Sequence, residues 1–351
     1  MTGGTVVVTA RSYSGGSVDV ESRLVEAGCR VVRGPVDHDP DQLRELLADA
    51  VGWIAGTARV EAHHLDAAPA LRVVARYGVG VDSVDLAAAA ERGVLVTNTP
   101  GANSTAVAEH ALALLLAALR HVVRDDRHVR AGDSSVTRAR ELTGLRVGIV
   151  GLGRIGRALC TRLTALGVQV VASDPWLSDE QIRAAGAEPA DLAVIAGTCD
   201  AISLHAPGGS AVVDEAFLAG VRPDLILVNT ARAALVDEHA LAAALRSGRL
   251  ACYATDDLGG HAGEDSVLLA ADLADRVIAT PHSAAQTVEA VDNMGIGATE
   301  AVLDVLAGRT PRNVVAAPAQ RPEEGRPAQR GREDLDPVSY THLTLPTILR
   351  V

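Results

Sequence analysis

Short β-branched apolar runs alternate with stretches of helical spacing along almost the whole chain. In the first part the apolar runs fall at 5–9, 30–33, 51–55, 72–76 and 94–98, with helical stretches at 40–50 and 84–92 between them. A long Ala- and Leu-rich pattern then runs from Ser104 to about Arg130. Asn103 or Ser104 can cap it, and Glu109 falls in its early turns. A second series starts at Arg146, with apolar runs at 147–150, 168–173, 201–204, 225–229, 251–255 and 277–280, and a last helical stretch over 286–307. Strands alternating with helices predict an α/β fold built on parallel sheets. Two such series joined by one long helix predict two lobes with a ligand between them. The first lobe is expected to take residues 1–103 and 288–316, and the second 104–287.

Over 317–351 this pattern is lost. Pro, Arg, Glu and Gln leave little to bury, so the tail is expected to be disordered. Within it, 338–347 (VSYTHLTLPT) reads as the translation of a sequencing-library adapter. That string is set aside from the fold, and the true C-terminus is expected to be missing.

Composition narrows the chemistry. With 351 residues, 48% of them hydrophobic, the chain can bury a sizeable core. A formal charge of −12 repels phosphate backbones, which argues against nucleic acid as a partner. All 32 basic residues are arginine, so lysine Schiff bases and the P-loop lysine are excluded. Cys29, Cys160, Cys199 and Cys252 show no CxxC spacing, which fits reduced thiols and gives no metal site. The first residues lack a charged n-region and a long apolar core. The longest apolar run, 111–119, is far short of the roughly 20 residues a membrane span needs. A cytoplasmic, soluble enzyme is the expectation.

The strongest local motif is RVGIVGLGRIGRALCTRL. A buried strand ends at Val150, then Gly151, Gly153 and Gly156 give G-x-G-x-x-G, and a helix opens. Gly151 allows the tight turn, Gly153 lets backbone approach a pyrophosphate, and Gly156 permits close helix–strand packing. The helix N-terminus offers free N–H groups to the phosphates. The next strand ends in Asp174, where a carboxylate accepts both ribose hydroxyls and repels a 2′-phosphate, which favours NAD over NADP. Arg232 and His282 each follow a strand. Ligands of open α/β sheets sit at the carboxyl ends of strands, so these side chains can converge with the glycine loop on one crevice.

Five ordered blocks carry a resemblance: RYGVGVDSVDLAAAAERGVLVTNTPGANSTAVAEHAL, LTGLRVGIVGLGRIGRAL, SLHAP, VNTARAALVDEHALAAALRSG and TPHSAAQT. Together they resemble the D-isomer-specific 2-hydroxyacid dehydrogenases, and within them the phosphoglycerate dehydrogenase-like members. The resemblance implies two Rossmann- or flavodoxin-like parallel-sheet domains, a discontinuous substrate domain and an NAD-binding domain, with a cleft between. It implies hydride transfer between NAD and a small D-2-hydroxy or 2-oxo acid, with 3-phosphoglycerate a candidate. Arg232 would hold the substrate carboxylate and polarise the carbonyl, and His282 would be the general acid/base. Backbone of Gly78, Val79 and Gly80 would also receive the carboxylate. The cofactor would meet Gly151, Gly153, Arg154, Ile155, Gly156, Asp174, His205, Ala206, Pro207, Thr230, Ala231 and Asp256. Arg76 either binds a second anionic group or forms a structural salt bridge.

The chain also departs from the family. The family has a glutamate, often before proline, that orients the histidine; here the segment reads ATDDLGGHAGEDSVLL. Glu264 is the best candidate, while a gapless count from Asp256 reaches His261. Ala233 replaces the usual glycine after the arginine, and SLHAP continues as GGS. A second reading therefore stays open, an NAD-binding regulator or corepressor on the same fold without turnover. The resemblance also implies a homodimer, with the helix from Ser104 either at the subunit contact or in the chain's own core.

Overall fold

The computed structural model describes residues 3–259 and 266–317. Its first sheet uses β1 (Thr5–Val8), β2 (Arg30–Arg33), β3 (Ala50–Ala55), β4 (Val73–Arg76), β5 (Leu95–Thr97) and β13 (Val314–Ala316), in the order β13-β5-β4-β3-β1-β2. The second uses β6 (Arg146–Val150), β7 (Gln169–Ser173), β8 (Glu188–Pro189), β9 (Ala201–Leu204), β10 (Leu225–Asn229), β11 (Leu250–Thr255) and β12 (Val277–Ala279), in the order β12-β11-β10-β9-β6-β7-β8. Every pairing is parallel except β13 against β5. The expected fold class holds, with β13 an antiparallel edge that the sequence pattern did not announce.

Helices cover both faces. In the first lobe these are α1 (Val20–Glu26), α2 (Pro40–Leu47), α3 (Ala62–Asp66) and α4 (Leu86–Glu91). Next come α5 (Ser104–Leu119) and α6 (Val122–Arg130). The second sheet carries α7 (Arg154–Ala165), α8 (Asp179–Ala184), α9 (Leu192–Thr198), α10 (Glu215–Gly220) and α11 (Glu238–Arg246), and α12 (Val288–Leu306) returns to the first. Strand residues such as Val6, Ile54, Val147 and Leu227 are wholly buried, because a parallel sheet sandwiched by helices offers no wet face. Met294, Ala298 and Val302 of α12 pack into the same core as Val6, Ile54 and Val73. Caps follow the sequence: Asp39, Asp85, Asp191 and Asp237 each accept backbone N–H groups at a helix start.

One expectation is corrected. The helix expected over 104–130 breaks at His121, whose φ of +56° is left-handed, and α6 leaves α5 at 58°. The chemistry changes at that point. Eight α5 residues are buried, whereas α6 buries none. Polar ties hold α6 instead, with Arg127 donating to the Ala274 carbonyl (2.7 Å) and His128 meeting Asp275 (3.1 Å). Among the described residues no single helix is long and apolar enough to cross a membrane.

Both sheets reverse strand order between neighbours, at β1/β3 and at β6/β9. Loops diverge at such a switch point, and a crevice opens at the carboxyl ends of the strands. The candidate residues read from the sequence follow these strands.

Candidate active site

The glycine loop follows β6. Gly151 has φ +93°, and a Cβ there would lie 2.6 Å from the Ala206 backbone nitrogen, so only glycine fits. A Cβ on Gly156 would lie 2.2 Å from the Gly151 carbonyl oxygen. Gly153, the N-cap of α7, has nothing within 4 Å of its Cβ position. The loop is thus closed on its strand side and open in front of the helix N-terminus. Asp174 is fixed beside it, accepting from Leu152 N–H (2.8 Å) and Trp176 N–H (3.0 Å). Arg154 is exposed, Ile155 packs on the core, and Pro207 is exposed.

His205 Nδ1 and the Thr230 hydroxyl are among the buried polar atoms that face no partner within the described residues. His205 Nε2 meets Ser203 Oγ at 2.8 Å, and burial pulls its pKa down to about 4, which keeps it neutral. An open helix N-terminus, an anchored carboxylate and orphaned polar atoms are the features a dinucleotide would satisfy.

The loop after β10 carries Arg232. Buried Asn229 shapes it, its side-chain amide donating to the Arg232 carbonyl (2.9 Å) and its oxygen accepting from Ala231 N–H (3.0 Å). The guanidinium reaches the other lobe. Its Nε and one terminal nitrogen each lie 2.9 Å from Asp82 Oδ2, and a Cβ on Gly80 would be 1.9 Å from that terminal nitrogen. Arg76, at the end of β4, is buried and bonds only to main-chain carbonyls, Tyr77 (2.8 Å) and Ala55 (3.4 Å). Burial and the nearby Arg232 charge pull its pKa down to about 10. Among the described residues Arg76 has no carboxylate partner, and its Nε has no partner at all. The salt bridge expected as one alternative is absent from these residues.

His282 follows β12, two strands from β10, with β11 between. Its side chain is exposed and its φ is +53°, an unfavourable setting for a non-glycine residue. The loop is pinned by Asp256, a buried carboxylate that accepts from Ser283 N–H (2.9 Å), Ala284 N–H (2.8 Å) and the Thr280 hydroxyl (2.5 Å). Glu264 and His261 lie outside the described residues, as does the tail from residue 318.

The sequence model of the family described as D-isomer specific 2-hydroxyacid dehydrogenase, NAD binding domain, matches residues 112–284. The TT0316 protein from Thermus thermophilus superposes with a TM-score of 0.79 at 34% identity, covering 89% of this chain and 100% of that one. The chain belongs to the D-isomer specific 2-hydroxyacid dehydrogenase family. A D-lactate dehydrogenase from Treponema pallidum is 28% identical with a TM-score of 0.73, over 89% of this chain and 99% of its own. The D-3-phosphoglycerate dehydrogenase of Mycobacterium tuberculosis is 41% identical over 285 residues, 80% of this chain and 53% of the relative. The chain spans about half the length of the curated phosphoglycerate dehydrogenases it matches.

Within this family member, the structure brings Arg232 to Gly80, and the glycine loop to His205–Ala206 and Asp174. It sets the His282 loop on Asp256. Several contributing residues were not picked out from sequence, namely Asp82, Asn229, His110 and Thr280. Asn229 and Thr280 carried a signal, each being a polar residue at the end of an apolar strand. Asp82 carried none, because its partner lies 150 positions away.

Proposed function

We propose that the protein is an NAD-dependent dehydrogenase of small D-2-hydroxy acids. The observation that carries this reading is the delivery of Arg232, from the NAD-binding domain, to the backbone of Gly80 in the other lobe. A planar guanidinium beside glycine backbone is an arrangement suited to a carboxylate. NAD, when bound, would supply the hydride chemistry at C2 of the acid. Arg232 holds the substrate carboxylate, aided by backbone of Gly78, Val79 and Gly80. His282 takes the hydroxyl proton during oxidation and returns it during reduction. The family resemblance assigns the role of orienting that histidine to Glu264, which lies outside the described residues. Gly153 and the N-terminus of α7 receive the pyrophosphate, with Arg154 and Ile155 alongside. Asp174 holds the ribose hydroxyls. His205, Ala206, Pro207, Thr230, Ala231 and Asp256 line the nicotinamide end.

Arg76 favours a substrate with a second anionic group, because a buried cation lacking a carboxylate partner among the described residues is stabilised by an incoming anion. 3-Phosphoglycerate is the candidate. Leu116, Val122, Val123 and Val129 are exposed apolar residues on α5 and α6, which supports a homodimer through those helices. The working compartment is the cytoplasm. A panel of 2-hydroxy acids in both configurations, followed through the absorbance of the reduced cofactor, tests the reading. Turnover of D acids alone is expected. Activity on L acids, or none with tight cofactor binding, contradicts it.

A further inference from the structure

We propose that His110 is a positioning residue for the loop that bears His282, a role that rests on the functional reading above. His110 lies on α5, far from the loop in sequence, and its Nε2 sits 2.9 Å from the Thr280 hydroxyl and 3.5 Å from Asp256 Oδ1. The other neighbours of that hydroxyl are acceptors only, Asp256 Oδ1 at 2.5 Å and the Thr255 carbonyl at 3.3 Å. The threonine proton must go to one of them, so the hydroxyl presents a lone pair to His110. His110 Nε2 therefore carries a proton and donates it. The result is a directed chain: His110 to Thr280, Thr280 to Asp256, and Asp256 accepting the Ser283 and Ala284 amides.

The arrangement answers two needs of the site. Asp256 is 4% exposed, and His110 Nε2 lies 3.5 Å from its Oδ1. A buried carboxylate needs donors on every side. His282 holds a left-handed φ, a cost the surrounding bonds must offset. The two residues flanking Pro281–His282, Thr280 and Ser283, are both tied to the same carboxylate oxygen. α5 thus fixes the catalytic loop through side chains, without touching the reacting atoms.

Hydrogen exchange of the cofactor-free protein, resolved by peptide, reads the Ser283 and Ala284 amides directly. His110→Ala should speed exchange of the 280–284 segment roughly tenfold, the effect of one net hydrogen bond. It should also lower kcat while leaving the dissociation constant of reduced cofactor unchanged. His110→Gln should restore both, since its amide donates where the imidazole did. Thr280→Val should match His110→Ala, and the double variant should add nothing further. Unchanged exchange in His110→Ala, no restoration by Gln, or additive effects in the double variant would overturn the role. Exchange that responds as expected in a chain that turns over no 2-hydroxy acid overturns the functional reading alone.

Discussion

Burial, and after it the nearby Arg232 charge, lower the pKa of Arg76, yet of the two only Arg232 has a carboxylate partner among the described residues. Their roles should therefore separate in kinetics. Arg232→Ala removes the group that meets the substrate carboxylate, and kcat/KM should fall on the order of a hundredfold, equivalent to about 3 kcal/mol. Most of that loss should appear in KM. Arg76→Gln should instead discriminate between substrates, raising KM for 3-phosphoglycerate while sparing a monoanionic acid such as lactate. Steady-state kinetics on both substrates checks the pair of outcomes. His282→Ala should lower kcat by roughly a hundredfold to ten-thousandfold, the range for a lost general acid/base, with cofactor affinity intact.

At the scale of elements, the turn from β6 into α7 separates folding from binding. Gly153→Ala places a methyl in open space, so thermal stability should hold while the dissociation constant for NAD rises about tenfold or more, because the methyl stands where a pyrophosphate approaches. Gly156→Ala drives a Cβ into the Gly151 carbonyl and should lower stability itself, by about 1–3 kcal/mol. Fluorescence titration beside a melting curve separates the two effects. The placement of the glycine loop, Asp174, Arg232 and His282 was legible because each follows an apolar run that forms a strand. The break at His121 was not legible, since α6 is helical by propensity and only tertiary packing distinguishes a buried turn from an exposed one. Strand β13 and the Asp82–Arg232 pair were likewise hidden, because both depend on partners far away in sequence.

For the molecule as a whole, the first lobe carries an acid-sensitive core. His38 and His64 are buried beside Trp53. His38 Nε2 meets Thr9 Oγ1 at 2.7 Å, and its Nδ1 meets the Arg59 carbonyl at 2.9 Å. Burial pulls the His38 pKa down from 6.5 to about 4 and lowers that of His64 as well. The folded lobe therefore refuses protons that the unfolded chain accepts. The stabilisation is complete above pH 6.5 and is lost as pH falls toward 4, on the order of 3 kcal/mol from His38. Melting temperature should drop through that window, and His38→Gln should flatten the slope.

The lobes meet where Arg232 reaches Gly80 and Asp82, and the proposed chemistry requires that juxtaposition. The most direct test is reduction of 2-oxo acids by wild-type protein with NADH, with chiral analysis of the product. D-2-hydroxy acid alone, formed about a hundredfold or more less efficiently with Arg232→Ala and with His282→Ala, is the predicted result. L product, or a His282→Ala protein that reduces the acid at the wild-type rate, would contradict it.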